Sequence, residues 1–134
     1  MKFLLDTNVL SDILRRNEPV LAQLIRHHPA DIAMSCVSEG ELLYGVSNNP
    51  KATSLHKAVA ELIKSITPLP WDSAAAGQYG QLKADLHRTG HPLSELDMMI
   101  AAHALAANLC LVTSDHAFSR ITSLATENWR TASA

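Results

Sequence analysis

Short apolar runs alternate along the chain with longer segments in which apolar residues recur every three or four positions. Runs at Phe3–Leu5, Ile32–Ser35 and 109–112 predict buried strands, because nearly every residue in them is apolar. The run 66–69 predicts a strand near a sheet edge, since it contains proline. Helical spacing predicts helices over 9–14, 19–26, 52–65, 73–87 and 94–107, one that opens at Ser38 and ends at 48–50, and a short one after Asp115.

This order of elements predicts an α/β protein of three layers. Wholly apolar strands separated by helices indicate a central, mostly parallel sheet with helices on both faces. The chain shows no repeat and no long linker, so residues 1–134 are expected to form a single domain whose end, 131–134, is frayed. Ligand sites in such sheets lie beyond the carboxyl ends of the strands.

Composition narrows the class of protein. A hydrophobic share of 47% and a charged share of 18% argue against disorder. The net charge of −2 excludes a strongly basic nucleic-acid coat, but it permits a nuclease whose acidic site binds cations. Cys36 and Cys110 are far apart and have apolar neighbours, so we expect reduced core thiols. Without a signal peptide or a bilayer-spanning run, we expect a cytoplasmic protein with no membrane partner.

Four acidic side chains stand where ordinary helix caps also stand. Asp6 and Asp115 each follow a strand and precede a helix, where aspartate is a good N-cap. Glu41 and Asp97 each lie three residues after a serine, in the pattern of a capping box. Taken singly, each of these acids is better explained as a cap than as a ligand.

Taken together, the four acids predict a metal site. Asp6, Glu41 and Asp115 all follow strands and so belong to one edge of a parallel sheet, while Asp97 shares a helix face with core residues. Crowded carboxylates repel one another and have raised pKa values without a counter-ion. Oxygen ligands favour Mg²⁺ or Mn²⁺ over zinc. Such ions activate water and stabilise the leaving oxygen of a phosphodiester, which predicts a nuclease that needs no Ser, Cys or His nucleophile.

Four ordered segments resemble those of PIN-domain proteins, VapC-type toxins among them. They are Leu4-Leu5-Asp6-Thr7-Asn8-Val9-Leu10, Glu41-Leu42-Leu43-Tyr44-Gly45, Asp97-Met98-Met99-Ile100-Ala101-Ala102-His103-Ala104 and the segment from Leu111 through Thr113 and Asp115 to Phe118. The ending Thr126-Glu127-Asn128-Trp129 is also similar. The resemblance extends over nearly the whole chain.

The resemblance implies a PIN-like fold and a Mg²⁺- or Mn²⁺-dependent ribonuclease, the toxin of a bacterial toxin–antitoxin pair. It implies catalytic and metal-binding roles for Asp6, Glu41, Asp97 and Asp115, with Asp6 and Asp97 in direct metal contact. Asn8 and Thr113 would support the acids. RNA, with transfer RNA among the candidates, is the implied substrate, and a VapB-type antitoxin and a second copy of the chain are the implied partners. Residues 92–96, with the extra acid Glu95, depart from the Gly-Pro that relatives more often carry there.

Two other functions compete with this interpretation. A haloacid-dehalogenase-type phosphatase also has an aspartate after its first strand and would use Asp6 as nucleophile, but its second aspartate is replaced here by Asn8. A non-catalytic interaction module would keep the PIN fold without the chemistry.

The helical region 38–66 has two possible roles. It offers an apolar groove for an antitoxin, or Leu55, Val59 and Leu62 simply face the core; the sequence leaves both open.

Other polar and aromatic residues are assigned mainly to structure. His27 and His28 are expected to be exposed at a helix end. His103 follows Asp97 by six residues, which is not the spacing of a helical ligand pair, so packing is expected. Trp71 and Trp129 can stack on a base or pack in the core. Candidate contacts to an RNA backbone are Arg15, Arg16, Lys83, Arg88 and Arg120.

Overall fold

Five parallel strands form the centre of the protein. A computed structural model describes residues 1–131, so the expected frayed end lies outside the described residues from position 132 onward. The strands lie in the order β3-β2-β1-β4-β5, and every pairing is parallel. Their bounds are β1 Phe3–Leu5, β2 Ile32–Ser35, β3 Thr67–Leu69, β4 Cys110–Val112 and β5 Thr126–Glu127.

In the described part of the chain, six α-helices connect the strands, with 3₁₀ turns at Pro29–Asp31 and His116–Arg120. Their bounds are α1 Thr7–Leu14, α2 Glu18–Arg26, α3 Cys36–Ser47, α4 Thr53–Ser65, α5 Ser73–Arg88 and α6 Glu95–Ala107. Within residues 1–131 no helix is both long and apolar enough to cross a membrane.

Alternate residues of the strands belong to two separate hydrophobic cores, because successive side chains of a strand point to opposite faces of the sheet. Phe3 and Leu5 belong to a cluster that includes Val9 and Leu10 of α1. Leu4 belongs to a second cluster built largely from α5 and α6. Helices therefore cover both faces of the sheet, which confirms the predicted three-layer α/β fold.

The predicted elements are confirmed except at three places. The helix expected to open at Ser38 begins at Cys36, because Ser35 is its N-cap and accepts a hydrogen bond from the Val37 amide at 3.1 Å. Ser38 is therefore a buried residue inside α3 and not a cap. The short strand β5 and the 3₁₀ turn Pro29–Asp31 were not predicted, since two or three residues are too few to show a periodic pattern.

The sheet order decides where a site can form. The chain runs from β1 to β2 and β3 on one side and then returns to β4 on the other side of β1. The carboxyl end of β1, where Asp6 follows Leu5, is thus the point at which the strand order reverses. Crevices that bind ligands in parallel sheets lie at such points.

Candidate active site

Asp6 is a buried carboxylate at the centre of this edge. It is 3% exposed and caps α1, with Oδ1 accepting the Thr7 amide at 2.8 Å. Its Oδ2 accepts a hydrogen bond from Thr113 Oγ1 at 2.9 Å. Burial raises the pKa of Asp6 to about 6, and the charges of Asp97 and Glu41 act in the same direction, against the two hydrogen bonds.

Glu41 reaches this edge from α3 through a hydrogen bond with Thr7. Thr7 Oγ1 donates to Glu41 Oε1 at 2.6 Å, and the Thr7 and Ser38 hydroxyls lie 2.9 Å apart. Thr7 therefore links the first turn of α1 to α3. The resemblance implies a supporting role for Asn8 as well as for Thr113, and Asn8 is exposed. Thr7, which the sequence interpretation did not name, contacts Glu41.

Asp97 is half-buried in the first turn of α6. Ser94 is the N-cap of this helix and accepts the Asp97 amide at 3.2 Å, as the capping-box pattern predicts. Burial raises the pKa of the Asp97 carboxyl, and the charge of Asp115 raises it further, while a hydrogen bond with Ser94 opposes both effects. Asp97 thus serves as a helix-capping residue and also feels the charge of another acid of the quartet.

Asp115 joins the same group through Thr113. Its amide donates to Thr113 Oγ1 at 3.1 Å, and its Oδ1 caps the 3₁₀ turn by accepting the Ala117 amide at 2.9 Å. One threonine hydroxyl therefore accepts from the Asp115 backbone and donates to Asp6. The proximity of Thr113 to Asp6 agrees with the supporting role that the resemblance implies.

The structure brings the four acids to one region but does not arrange them as a complete set of metal ligands. The charges of Asp97 and Glu41 raise the pKa of Asp6, and the charge of Asp115 raises the pKa of Asp97. This confirms the prediction that crowding and burial raise the pKa of some of these acids. Among residues 1–131, however, no three His, Cys, Asp or Glu side chains lie close enough together to hold a metal ion. Direct metal contact was expected of Asp6 and Asp97 only, so the metal-binding roles of the four acids stay a prediction.

The donor set nevertheless fits a hard divalent cation. All the acidic donors are oxygens, and the pKa of the most buried one, Asp6, is raised by burial and by its acidic neighbours, effects that a bound cation would oppose. Mg²⁺ keeps several waters and is commonly held by only one or two carboxylates together with substrate phosphate. Asp6 with one acidic neighbour therefore suffices for such an ion.

The histidines and tryptophans have structural roles with one correction. His103 is buried and its Nδ1 lies 2.8 Å from Ser35 Oγ, which confirms packing. His27 is not an exposed cap: its ring stacks on buried Trp129 at 5.2 Å, because the end of α2 packs against the chain after β5. His28 is exposed and accepts the Ala30 amide. The Trp71 indole donates to the Met99 carbonyl at 2.9 Å.

Burial and ion pairing show the surroundings of helix α4, of the basic candidates for RNA contact and of the two cysteines. Val59 and Leu62 are buried and Leu55 packs against the same core, so these residues of α4 face the protein's own interior. Three of the five basic candidates pair with neighbouring acids: Arg15 with Asp12, Lys83 with Glu95 and Arg88 with Asp85. Both cysteines are free and half-buried, and burial raises the pKa of Cys110 to about 11.

Comparison with known proteins gives consistent matches over nearly the full chain. The family model of the PIN domain matches residues 3–124. The chain is 31% identical over 130 residues to a tRNA(fMet)-specific endonuclease VapC of Shigella flexneri, covering 96% of this chain and 98% of that protein. A ribonuclease VapC2 of Haemophilus influenzae is 28% identical over the same shares. Among solved structures, DNA-bound VapBC of Salmonella typhimurium matches with a TM-score of 0.89 and 30% identity, over 96% of this chain and 98% of that one.

Proposed function

The chain belongs to the PIN-domain family and, within it, to the VapC-type ribonucleases, and we propose that it cleaves RNA phosphodiester bonds as the toxin of a toxin–antitoxin pair. The observation that carries the proposal is that Asp6 is buried at the point where the strand order reverses, with Glu41 and Asp97 near enough for their charges to act on it. The family match sets aside the haloacid-dehalogenase-type phosphatase. We propose that residues 1–134 form one PIN domain.

We assign metal binding first to Asp6 and Asp97, and then to Glu41 and Asp115. Bound Mg²⁺ or Mn²⁺ would offset the acidic charge against the scissile phosphate and supply a water of lowered pKa. The chain's own contribution is to fix the acids in place. Thr113 holds one oxygen of Asp6, and Thr7 holds Glu41, so both threonines are positioning residues.

The partners follow from the family. Solved relatives include VapBC2 of Rickettsia felis bound to a promoter fragment, with a TM-score of 0.88, 29% identity and coverage of 96% of this chain and 99% of that one. We propose that a VapB-type antitoxin neutralises this protein, that it forms a homodimer, and that it acts in the cytoplasm. Its substrate is RNA, with transfer RNA the first class to test, because a relative is named for cleaving it.

Replacement Asp6→Asn tests the function, because it removes the charge at the centre of the acidic cluster and keeps the side-chain shape. We expect cleavage of RNA in Mn²⁺ to fall about 100-fold or more, since the cation and the scissile phosphate lose their main anchor. The measurement is the initial rate of cleavage of a transfer RNA mixture by the purified chain.

The control is Asp85→Asn, which removes an exposed acid of α5 outside the cluster and should cleave at the normal rate. Circular dichroism and retained binding to the antitoxin would show that Asp6→Asn is folded. Undiminished cleavage by Asp6→Asn contradicts the assignment of Asp6. Absence of cleavage by the unmodified chain, with the fold intact, favours the non-catalytic interaction module.

A further inference from the structure

A cleft of about 660 Å³ lies between α3 and α6 beside the acidic cluster. Its lining residues include Thr7, Gly40, Glu41, Tyr44, Leu96 and Met99. Two of them, Thr7 and Glu41, also belong to the candidate active site, where they are joined by a hydrogen bond of 2.6 Å. The cleft is therefore continuous with the place where a phosphodiester would be held for cleavage.

We propose that this cleft binds a nucleobase of the RNA next to the scissile phosphodiester, with Tyr44 stacking on the base. The proposal rests on the ribonuclease function proposed above. An RNA whose phosphate lies at Asp6 and Glu41 has a flanking nucleoside beside the cleft, because the two sites share Glu41. Proteins that bind unpaired RNA commonly stack bases on aromatic side chains.

Exposed apolar side chains mark the mouth of the cleft. Tyr44 is 69% exposed and Leu96 is 44% exposed, so both side chains are accessible to a ligand. They come from different helices, α3 and α6, and both line the cleft. A nucleobase presents two flat apolar faces, so it matches an aromatic ring on one side and aliphatic side chains on the other.

Gly40 keeps the cleft open. It lies inside α3, where glycine is about 1 kcal/mol less favourable than alanine. A Cβ atom at this position would meet nothing within 4 Å, so packing does not require a glycine. Its backbone is right-handed helix and does not require one either. Because Gly40 has no side chain, this part of the cleft wall stays open to a ligand.

Gly45 supplies a matched control on the same helix. A Cβ atom there also meets nothing within 4 Å, and Gly45 is not among the residues that line the cleft. Leucine at either position should favour the helix to a similar extent, because both replacements remove a helical glycine. Only the leucine at position 40 would project from the wall of the cleft.

The experiment measures cleavage and base stacking by the full chain. Steady-state cleavage in Mn²⁺ gives KM and kcat for Gly40→Leu, Gly45→Leu, Tyr44→Ala and Tyr44→Phe. A short RNA carrying 2-aminopurine reports stacking through quenching of its fluorescence, in an Asp6→Asn background that prevents cleavage. We expect Tyr44→Ala and Gly40→Leu to raise KM about 5- to 100-fold and to lose the quenching, since stacking on one aromatic residue accounts for that range.

Gly45→Leu should keep both KM and the quenching, because position 45 lies outside the cleft. Tyr44→Phe should keep the quenching that Tyr44→Ala loses, because the phenyl ring still stacks. Equal effects at positions 40 and 45 would overturn the proposal. So would unchanged RNA affinity in Tyr44→Ala together with a loss of dimer mass or of antitoxin binding, which would assign the surface to a second copy or to the antitoxin.

The two proposals fail in different ways. Normal cleavage with KM unchanged in all four variants removes the base-binding cleft and leaves the ribonuclease. Quenching that depends on Tyr44, together with no cleavage of RNA by the unmodified chain, supports the cleft and removes the enzymatic function.

Discussion

At the scale of single residues, Asp6 is held in a place that disfavours its charge. Its carboxyl is buried, and the pKa is raised from 3.8 to about 6, chiefly by burial and then by Asp97 and Glu41. Between these two pH values the folded chain binds more protons than the unfolded chain. The free energy of unfolding therefore falls as the pH rises through this range, and the deficit persists at neutral pH.

Replacement Asp6→Asn removes this pH dependence. We expect the stability of the variant relative to the unmodified chain to improve by up to about 3 kcal/mol between pH 4 and pH 7, since one pKa unit corresponds to about 1.4 kcal/mol. Urea unfolding with EDTA present at both pH values measures the difference. Hydrogen bonds that the variant loses at both pH values contribute equally to both measurements, so they cancel when one relative stability is subtracted from the other. A relative stability that is the same at both would contradict the raised pKa.

A divalent cation bound at Asp6 should offset the loss of stability that the buried, ionised carboxylate causes. At pH 7 we expect saturating Mn²⁺ to raise the melting temperature of the unmodified chain, because binding to the folded state alone adds about 2.7 kcal/mol at a hundredfold excess over Kd. Asp6→Asn should show little or no increase, while Asp85→Asn should respond like the unmodified chain. Thermal unfolding followed by circular dichroism checks this, and an equal increase in Asp6→Asn would place the cation elsewhere.

At the scale of secondary-structure elements, Ser35 joins the end of β2 to the start of α3. Its hydroxyl accepts the Val37 amide and lies 2.8 Å from His103 Nδ1 of α6, and both side chains are buried. Burial lowers the pKa of His103 and so favours the uncharged ring in its hydrogen bond with Ser35. One serine therefore fixes the first turn of α3 against α6, and these two helices form the walls of the proposed base cleft.

Replacement Ser35→Ala is expected to lower the free energy of unfolding by about 1–3 kcal/mol, because it removes an N-cap and leaves a buried ring nitrogen without its partner. Chemical denaturation at pH 7 measures the loss. Ser47→Ala, at the exposed end of the same helix, should change stability by about 0.5 kcal/mol or less. Comparable losses in the two variants would show that the cap and the contact with His103 contribute nothing.

At the scale of the whole molecule, an ion pair joins the first helix to the segment after the last strand. Arg130 Nε and a terminal guanidinium nitrogen each lie 2.7 Å from a different oxygen of Asp12, in a two-pronged arrangement. Asp12 is 2% exposed. The bonds to Arg130 hold the pKa of Asp12 below its ordinary value. The stability this pair provides is therefore present above the ordinary pKa of aspartate and lost as the pH falls through the lower folded value.

Replacement Arg130→Ala should lower the melting temperature by several degrees and flatten the loss of stability on acidification, because a buried carboxylate then lacks its main partner. Arg130→Lys should recover only part of the loss, since an ammonium group cannot form the two-pronged contact. Arg120→Ala, which removes an exposed arginine, is the control. A melting temperature equal to that of the unmodified chain would contradict the role of this pair. The measurement is thermal unfolding between pH 3 and pH 7.

Periodicity of apolar residues sufficed for most of the fold. The wholly apolar runs became β1, β2 and β4, and Asp6 and Asp115 follow two of them as predicted. Contacts between residues distant along the chain could not be predicted from this periodicity. Thr7 bonds Glu41, and His27 stacks on Trp129, because helices and strands far apart in sequence pack together. Nothing in the local pattern around Thr7 or His27 specifies those partners.

By itself the sequence determined most of the strands and helices and which acids follow them, because those features depend on neighbouring residues and on burial of apolar faces. Only the tertiary structure decided how near the acids come to one another, that Ser35 and not Ser38 caps α3, and that Tyr44 and Leu96 flank one cleft. These outcomes depend on the order in which parallel strands pair and on the packing of helices over them, and both arise from contacts between residues distant along the chain.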